Sequence, residues 1–125
     1  ERFPKQFLNT GVLEQSMMGI AAGLAQQGFK PYVYTMKNFI LLRPLEQVRN
    51  DIGYANANVK LLGVGGSEAY RFLGMSHNLF GDEEEVLLKN IPNFNTYFRK
   101  HNDEEILKLC LIQEYERVGP AYFAI

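Results

Sequence analysis

Residues 10–25, TGVLEQSMMGIAAGLA, are the stretch around which the rest of the chain is arranged. The stretch follows the apolar pair Phe7-Leu8 and is rich in Ala, Gly and Met, so it predicts a strand end, a tight turn and a buried helix. Glu14 lies in the first turn of that helix, where the positive end of the helix dipole stabilises an acidic side chain. Its neighbours are apolar or small, and a desolvated carboxyl group also suits proton chemistry. The residues alone leave both interpretations of Glu14 open.

The predicted helix ends at Gly28, since glycine is the preferred residue just beyond a helix C-terminus. Within the helix, Met17, Ile20 and Leu24 have the spacing i, i+3, i+7, which predicts that these three side chains face the core. We therefore interpret them as packing residues rather than as parts of a binding site.

Further along the chain, short segments rich in β-forming residues alternate with helical patterns. The predicted strands are residues 6–9, 31–35, 59–64, 95–98 and 121–125. One helical pattern is carried by Leu45, Val48 and Ile52, and a later one by Ile106, Leu109, Cys110 and Gln113. Such alternation predicts an α/β fold, with an open, mostly parallel, doubly wound sheet and helices on both faces.

The acidic run at residues 82–85 is predicted to begin a helix. Asp82 has the position of an N-cap, and Glu85, three residues later, would complete a capping box. Asn102 and Glu105 repeat this pair. We interpret the acidic run as a helix start with a solvated face rather than as a metal site.

Composition and charge limit the class of protein. The chain has 125 residues and is 46% hydrophobic, which fits one globular domain covering residues 1–125. A net charge of −1 does not support a nucleic-acid partner. The single cysteine, Cys110, indicates a reducing compartment, and the sequence has no signal peptide and no apolar run of membrane-spanning length, so we expect a cytoplasmic protein. Because the chain begins at Glu1, we expect it to be a piece of a longer polypeptide.

In open parallel α/β sheets, ligands bind beyond the carboxyl ends of the strands. The segments predicted to lie at those ends are 9–14, 35–39, 63–77 and 99–101. The longest of them, 63–77, begins as a glycine-containing loop without hydrophobic periodicity. We therefore expect any binding site of this chain at that edge of the sheet.

Two strings, LEQSMMGIAAGLAQQGFKPYVYT at 13–35 and FILLRPLEQVRND at 39–51, closely resemble the pyrimidine-binding domain of transketolase-like thiamine-diphosphate enzymes. The resemblance extends from Arg2 to Tyr122, nearly the whole chain, and implies the thiamine-diphosphate-binding fold. In that family, a glutamate at the start of the first helix hydrogen-bonds N1′ of the cofactor's aminopyrimidine, and Glu14 lies at its position. The hydrogen bond promotes loss of the proton from thiazolium C2, the carbon that adds to a substrate carbonyl. The resemblance thus implies that Glu14 is catalytic and binds the cofactor.

The resemblance also implies roles for three other residues. Phe39 aligns with the family's phenylalanine that stacks on the pyrimidine, and Met36 has a position that is often aromatic, where its polarizable sulfur could still pack on a ring. The family motif Asp-Gly-Pro-Thr-His reads Leu-Gly-Met-Ser-His at residues 73–77. His77 therefore resembles the family's catalytic histidine, which contacts the carbonyl and hydroxyl region of the substrate and could carry a proton there. Arg43, one helical turn beyond Phe39, is given no role.

Two positions depart from the family pattern. Leu73 stands where transketolases have an aspartate, and Gly65 stands where they have a histidine. Neither residue can replace the hydrogen bonds with which that aspartate and histidine hold a sugar's hydroxyl and phosphate groups. Standard pentose-phosphate transketolase activity is therefore disfavoured. We expect a divergent relative, such as a separately encoded subunit that acts on an unusual sugar or a small oxo acid.

The family binds the cofactor's diphosphate and its Mg²⁺ through a Gly-Asp-Gly motif with a later Asn. The one Gly-Asp pair of this sequence, Gly81-Asp82, is followed by Glu83 at a predicted helix start. The resemblance therefore implies that the diphosphate and Mg²⁺ are held by a diphosphate-binding partner domain or partner chain, that this chain holds no metal, and that the full enzyme is a homodimer or heterotetramer. We expect the isolated domain to be inactive.

Three functions stay open from the sequence. The first is half of a thiamine-diphosphate-dependent transferase of the transketolase type, which moves a two-carbon ketol or related acyl unit. The second is the β-type component of a 2-oxo acid dehydrogenase or a relative of deoxyxylulose-phosphate synthase, since both share this domain. The third is a catalytically silent interaction or regulatory domain. Glu14, Phe39 and His77 argue against the third, whereas Gly65 and Leu73 indicate some divergence.

Overall fold

The computed structural model of the chain describes residues 2–65, 70–98 and 104–125. Within these residues the strands are β1 (Tyr32–Met36), β2 (Lys60–Val64), β3 (Asn95–Tyr97) and β4 (Ala121–Ala124). The helices are α1 (Glu14–Gln26), α2 (Lys37–Leu41), α3 (Leu45–Gln47), a π-helical segment that continues α3 (Val48–Tyr54), α4 (Glu83–Lys89) and α5 (Glu104–Glu116). Pro4–Gln6 and Arg71–His77 are 3₁₀ helices. No helix in this part of the chain is both long and apolar enough to span a bilayer.

The four strands form one parallel sheet in the order β1-β2-β4-β3. Lys60 of β2 pairs with Tyr32 of β1 on one side and with Ala121 of β4 on the other, so β2 and β4 form the centre. Central strands of a parallel sheet are covered on both faces, which is why every residue of β4 is buried. The α/β, doubly wound fold predicted from the alternation of strands and helices is confirmed.

The strand predicted at residues 6–9 is wrong. The chain forms the 3₁₀ helix Pro4–Gln6 there, and the described part of the sheet ends at β1 instead. Phe7 and Leu8 are 58% and 64% exposed. Because β propensity reflects packing on a half-buried surface, this apolar pair does not form a strand where the described residues offer it no such surface.

The core-facing side of α1 also differs from the predicted one. Of the three residues predicted to face the core, Met17 packs against it, whereas Ile20 and Leu24 are 43% and 38% exposed. The buried residues of α1 are Met18, Ala21 and Ala22. The small alanine side chains let the helix approach β1 and the π-helical segment closely. α1 therefore packs through its small residues and turns larger apolar side chains outward.

The capping box predicted at the start of α4 is wrong. The side chain of Asp82 makes no capping hydrogen bond, and Glu83 Oε2 instead accepts a hydrogen bond from the backbone N–H of Phe80 at 2.6 Å. The acidic run is not a fully solvated face either, because the Glu84 side chain is only 16% exposed. Glu84 accepts a hydrogen bond from Tyr122 of β4, so the start of α4 is bonded to the sheet.

α5 is a helix, as predicted, but its inward side is not the predicted one, because the partly buried Leu107 and Leu111 share that side with Glu114. Its buried residue is Glu114, whereas Leu109 is exposed and Cys110 is only partly buried. Asn102, the predicted cap of α5, lies outside the described residues. The same holds for segment 99–101, which was expected to follow a strand.

Glu114 lies at the amino-terminal edge of the sheet among polar partners from three elements. Asn95 and Tyr97 of β3 donate hydrogen bonds to its Oε1 at 2.7 and 2.8 Å. Arg117 Nε donates to Oε2 at 2.7 Å, and the buried ammonium of Lys60 in β2 lies 3.4 Å from that oxygen. Burial raises the pKa of the Glu114 carboxyl, but these hydrogen bonds and the charge of Arg117 outweigh it and hold the pKa below its ordinary value. The cluster thus joins β2, β3 and α5 at the edge opposite to the expected site.

Candidate active site

Glu14 is the first residue of α1, and its side chain is only 11% exposed. Its Oε1 accepts a hydrogen bond from Nη1 of Arg43 at 2.7 Å. The position in the first helical turn also puts the carboxylate at the positive end of the helix dipole. Glu14 is therefore a largely desolvated acid that an N–H donor already holds in place.

Phe39 lies in α2, and its ring contacts two polar side chains. The guanidinium carbon of Arg43 is 3.7 Å from the ring centroid, in cation–π contact. The imidazole of His77 meets the ring edge-on, with centroids 5.2 Å apart and an interplanar angle of 66°. Phe39 thus links His77 to Arg43, and Arg43 links Phe39 to Glu14.

His77 is the last residue of the 3₁₀ helix Arg71–His77 and is partly buried. Its Nδ1 lies 2.8 Å from Oγ of Ser76, which also donates a hydrogen bond to the carbonyl of Leu73. Asn38 of α2 donates to the carbonyl of Ser76, so the helix that carries Phe39 also fixes the segment that carries His77. Met36 ends β1 directly before α2 and is partly buried at the same carboxyl edge.

A cleft of about 350 Å³ opens beside Glu14. Its walls are Val12, Leu13, Glu14, Gln15, Ser16 and Arg43. Gln15 Nε2 donates to the backbone carbonyl of Arg43 at 3.3 Å and so fixes the chain on the far side of the cleft. This volume is at the lower end of the range for small-molecule pockets in proteins.

Arg43 has no predicted part in this site, yet it contacts both Glu14 and Phe39. The available signal is the i, i+4 spacing of Phe39 and Arg43, which brings two side chains together on one helical face. Pro44 follows at once and ends the helical run of α2, so the spacing alone could not show that the guanidinium returns over the ring.

The sequence does not predict a second polar cluster, which is formed by Tyr122, Glu84 and Lys37. Tyr122 of β4 donates a hydrogen bond to Glu84 Oε1, and Lys37 Nζ lies 3.2 Å from Glu84 Oε2. Burial, together with the charge of Glu84, raises the pKa of Tyr122 well above its ordinary value. Gly63 packs against this tyrosine, since a Cβ there would lie 2.5 Å from its hydroxyl oxygen. The three polar residues come from distant parts of the sequence, and no spacing pattern connects them.

The two departures from the expected pattern lie on the same side of the fold. Gly65 directly follows β2 with φ of +75°, and a Cβ there would lie 2.7 Å from the ring of Tyr70. Leu73 is 40% exposed on the 3₁₀ helix that ends at His77. The segment between them, 66–69, lies outside the described residues.

Comparison with known proteins agrees with this fold. The sequence matches the family described as transketolase, pyrimidine binding domain, over residues 1–124. One subunit of the apulose-4-phosphate transketolase of Phocaeicola vulgatus is 41% identical over 95 residues, which are 76% of this chain and 30% of that protein. 1-deoxy-D-xylulose-5-phosphate synthase of Bordetella avium is 32% identical over 125 residues, which are 97% of this chain and 18% of that protein.

A solved structure described as a split gene transketolase, inactive beta4 tetramer, is similar to this chain with a TM-score of 0.82 and 31% identity. The likeness covers 98% of this chain and 37% of that one. This chain therefore spans well under half the length of each of these three proteins. Because the family match covers nearly every residue, the chain belongs to the transketolase pyrimidine-binding domain family.

Proposed function

We propose that this chain forms the aminopyrimidine-binding half of a thiamine-diphosphate site in a transketolase-like transferase. The reaction is the transfer of a two-carbon ketol or related acyl unit. The observation that carries the proposal is the pairing of a largely buried acid, Glu14, with a planar N–H donor that also lies over the Phe39 ring. An aminopyrimidine that carries a proton at N1′ is likewise a planar N–H donor, so it needs an acceptor at that nitrogen and an aromatic face for stacking.

The residues present fit that group. The guanidinium of Arg43 is planar, carries its charge over several nitrogens and donates N–H bonds, and it already occupies both contacts. The cleft beside Glu14 has apolar walls at Val12 and Leu13 and polar groups at the acid itself, which is the usual composition of a small-molecule site.

In this proposal Glu14 holds a proton at N1′ of the pyrimidine, and Phe39 stacks on the ring with Met36 as a second, softer packing surface. When bound, thiamine diphosphate supplies the nucleophilic carbon that adds to the substrate's carbonyl group. Glu14 suits its task because it lies in the first turn of α1, where the helix dipole favours an acidic side chain, and because that side chain is only 11% exposed.

His77 acts on the substrate. It contacts Phe39 but lies at the other end of the contact series from Glu14, and its Nδ1 is occupied by Ser76. Nε2 is therefore the nitrogen left to act on the substrate: with its lone pair it would take a proton from a hydroxyl, and once protonated it would return one to a carbonyl oxygen. A small sugar or oxo acid is the substrate class. Gly65 and Leu73 argue against a site built for the hydroxyl and phosphate pattern of pentose phosphates.

In the full enzyme, the diphosphate and its Mg²⁺ are held by a partner domain or a partner chain. Among residues 2–65, 70–98 and 104–125 no three His, Cys, Asp or Glu side chains are grouped to hold a metal ion. One relative is named as a single subunit and another as a split gene tetramer, and these names support an assembly of separate chains. The assembly is a homodimer or a heterotetramer in the cytoplasm, where the thiol of Cys110 stays reduced.

The decisive test is Glu14→Gln in the complete enzyme. The amide cannot hold the proton at N1′, so turnover should fall by several orders of magnitude while the fold is kept. Steady-state kinetics measures the first, and circular dichroism with thermal unfolding measures the second. Glu46→Gln is the matched control, because Glu46 is an exposed acid in the first turn of α3.

Survival of the Glu14→Gln activity within about tenfold, which is roughly 1.4 kcal/mol of barrier, contradicts the assignment. A wild-type assembly that binds the cofactor but turns over no ketose or oxo acid would instead favour the silent interaction domain.

A further inference from the structure

Arg43 makes both contacts that the proposed function gives to the aminopyrimidine. Its Nη1 donates to Glu14 at 2.7 Å, and its Cζ lies 3.7 Å from the centroid of Phe39. These are the acid that would bond the ring nitrogen and the ring on which the pyrimidine would stack. One side chain of this chain therefore occupies two positions that the cofactor needs.

The backbone holds Arg43 in reach of both residues. Arg43 lies in the turn between α2 and α3, and Pro44, which has no backbone N–H, prevents the helix from running through. Gln15, the residue after Glu14, donates to the carbonyl of Arg43 at 3.3 Å. The backbone at Arg43 is thus tied to the start of α1, and only the side chain is left free to move.

The contacts of the side chain are of a kind that can be exchanged. The Arg43 side chain is 44% exposed, and ion pairs with one partner this accessible contribute little to stability. The Phe39 ring is partly buried, but a cation–π contact whose cation is this exposed to water contributes little more. By contrast, Glu14 is largely buried and would lose the counter-charge of Arg43 if that side chain left without a replacement.

We propose that Arg43 is a displaceable stand-in for the aminopyrimidine, which keeps Glu14 and Phe39 in their binding arrangement and leaves when the cofactor enters. This inference rests on the proposed function. The stand-in satisfies the buried carboxylate, and it competes with the cofactor for the same acid and ring. A ligand that can bind only after a resident group has left has a lower apparent affinity. The intrinsic affinity is multiplied by the fraction of time that the site is open.

The test compares Arg43→Met and Arg43→Lys with the wild type in the complete enzyme. Methionine fills similar space without an N–H donor, and lysine keeps the charge but not the planar group. Both variants should bind thiamine diphosphate with Mg²⁺ about tenfold more tightly, since the exchanged contacts are a cation–π contact and an ion pair whose arginine is 44% exposed. Thiamine, which lacks the diphosphate, should gain by the same factor. Arg49→Met is the matched control, because Arg49 is an exposed arginine that also lies over an aromatic ring, that of Tyr54, at 4.8 Å.

Stopped-flow binding adds a readout independent of activity. Removal of a competitor raises the association rate and leaves the dissociation rate unchanged, because Arg43 is already displaced in the bound state. A residue that holds the cofactor would instead raise the dissociation rate when removed.

Equal or weaker binding by both variants overturns the stand-in while leaving the proposed function intact. A gain for thiamine diphosphate without a gain for thiamine also overturns it, because a group that competes for the acid and the ring must weaken the binding of both ligands alike. Absence of binding by the wild type and the variants alike overturns the proposed function together with this inference.

Discussion

Ser76 contacts one ring nitrogen of His77, Nδ1, and this contact decides which nitrogen is available to a substrate. Nδ1 lies 2.8 Å from Oγ of Ser76, and the same oxygen donates to the carbonyl of Leu73. A hydroxyl that donates to a carbonyl can accept a hydrogen bond from Nδ1, which leaves Nε2 with its lone pair. The edge-on contact with Phe39 then fixes the plane of the imidazole.

His77→Asn should lower kcat/KM by about a hundredfold or more, the usual contribution of a positioned acid or base. Affinity for thiamine diphosphate should change less than about threefold, since His77 is assigned to the substrate and not to the cofactor. Kinetics and calorimetry on the complete enzyme separate the two effects. Phe72→Ala is the control, because its ring is 82% exposed on the same 3₁₀ helix. Loss of cofactor affinity in the His77 variant would count against this division of roles.

For single residues, the sequence predicts where in an element a chemically suitable side chain lies. It does not predict which other side chains that residue contacts. An acid in a first helical turn among apolar neighbours is visible in the sequence, and so is a phenylalanine after a strand. The return of Arg43 over Phe39 depends on how Pro44 turns the chain, and the bond from Tyr122 to Glu84 depends on packing between distant segments.

Among the helices, α5 shows what a buried acid does for the fold. Its Glu114 accepts hydrogen bonds from β3 and approaches the buried Lys60 of β2, so the helix is fixed to two strands by polar contacts. Burial and the bond to Glu114 raise the pKa of Tyr97 to about 12, so this hydroxyl remains a donor across the neutral range.

Glu114→Gln should destabilise the chain by about 3–5 kcal/mol, because it leaves the Lys60 ammonium buried without its counter-charge. Urea unfolding at neutral pH measures the loss. The variant should still associate with its partner, since the cluster lies at the edge of the sheet away from Glu14. A loss below about 1 kcal/mol would mean that the carbonyls of Arg117 and Gly119, which also accept from Lys60 Nζ, hold the ammonium without the carboxylate.

The same acid should also control the response to low pH. The pKa of Glu114 in the folded chain lies below the ordinary value of 4.5, so its contribution is fully present above that pH and is lost as the pH falls below it toward the folded pKa. The stability of the wild type should therefore decrease in this window more steeply than that of Glu114→Gln. Parallel curves for the two proteins would contradict the lowered pKa.

Sequence periodicity locates the helices well but orients them poorly. In α1 the pattern of large residues points to Ile20 and Leu24, yet Ala21 and Ala22 are the ones buried. Small residues carry little weight in a hydrophobic pattern, although they are what allows two elements to approach closely. In α5 an acid faces inward, and only its partners on other strands make that orientation stable.

For the whole molecule, the exposed apolar surface agrees with an incomplete assembly. Val12, Ile20 and Leu24 lie on or beside the outer side of α1, and they are 80%, 43% and 38% exposed. This surface adjoins the cleft at Glu14, where the other half of a cofactor site would have to approach. Since the chain spans about 30% of the related apulose-4-phosphate transketolase subunit, we expect further protein to cover this surface.

The isolated chain should bind thiamine diphosphate weakly or not at all, because none of its described residues supplies a cage for Mg²⁺ and the diphosphate. Adding the partner domain or partner chain should restore Mg²⁺-dependent binding. Isothermal titration calorimetry with and without the partner measures both. Micromolar, Mg²⁺-dependent affinity of this chain alone would show that it binds the charged end of the cofactor without help.

The order of elements could be predicted because strands and helices alternate and crossovers between parallel strands obey one handedness. The first strand could not. Phe7 and Leu8 have the composition of a strand, but strand formation requires a neighbour with unpaired backbone groups, and the described sheet begins at β1.

Gly65 and Tyr70 together restrict which side chains position 65 could accept. A histidine at position 65, as in pentose-phosphate transketolases, would need a left-handed backbone that side chains rarely adopt, and its first carbon would overlap the tyrosine ring. A histidine at position 65 would therefore require both a smaller residue at position 70 and a backbone that leaves the left-handed region. Single substitutions at position 65 should therefore be recovered rarely from a library of folded variants. Libraries that vary positions 65 and 70 together should yield more of them, because they can remove the contact with the tyrosine ring.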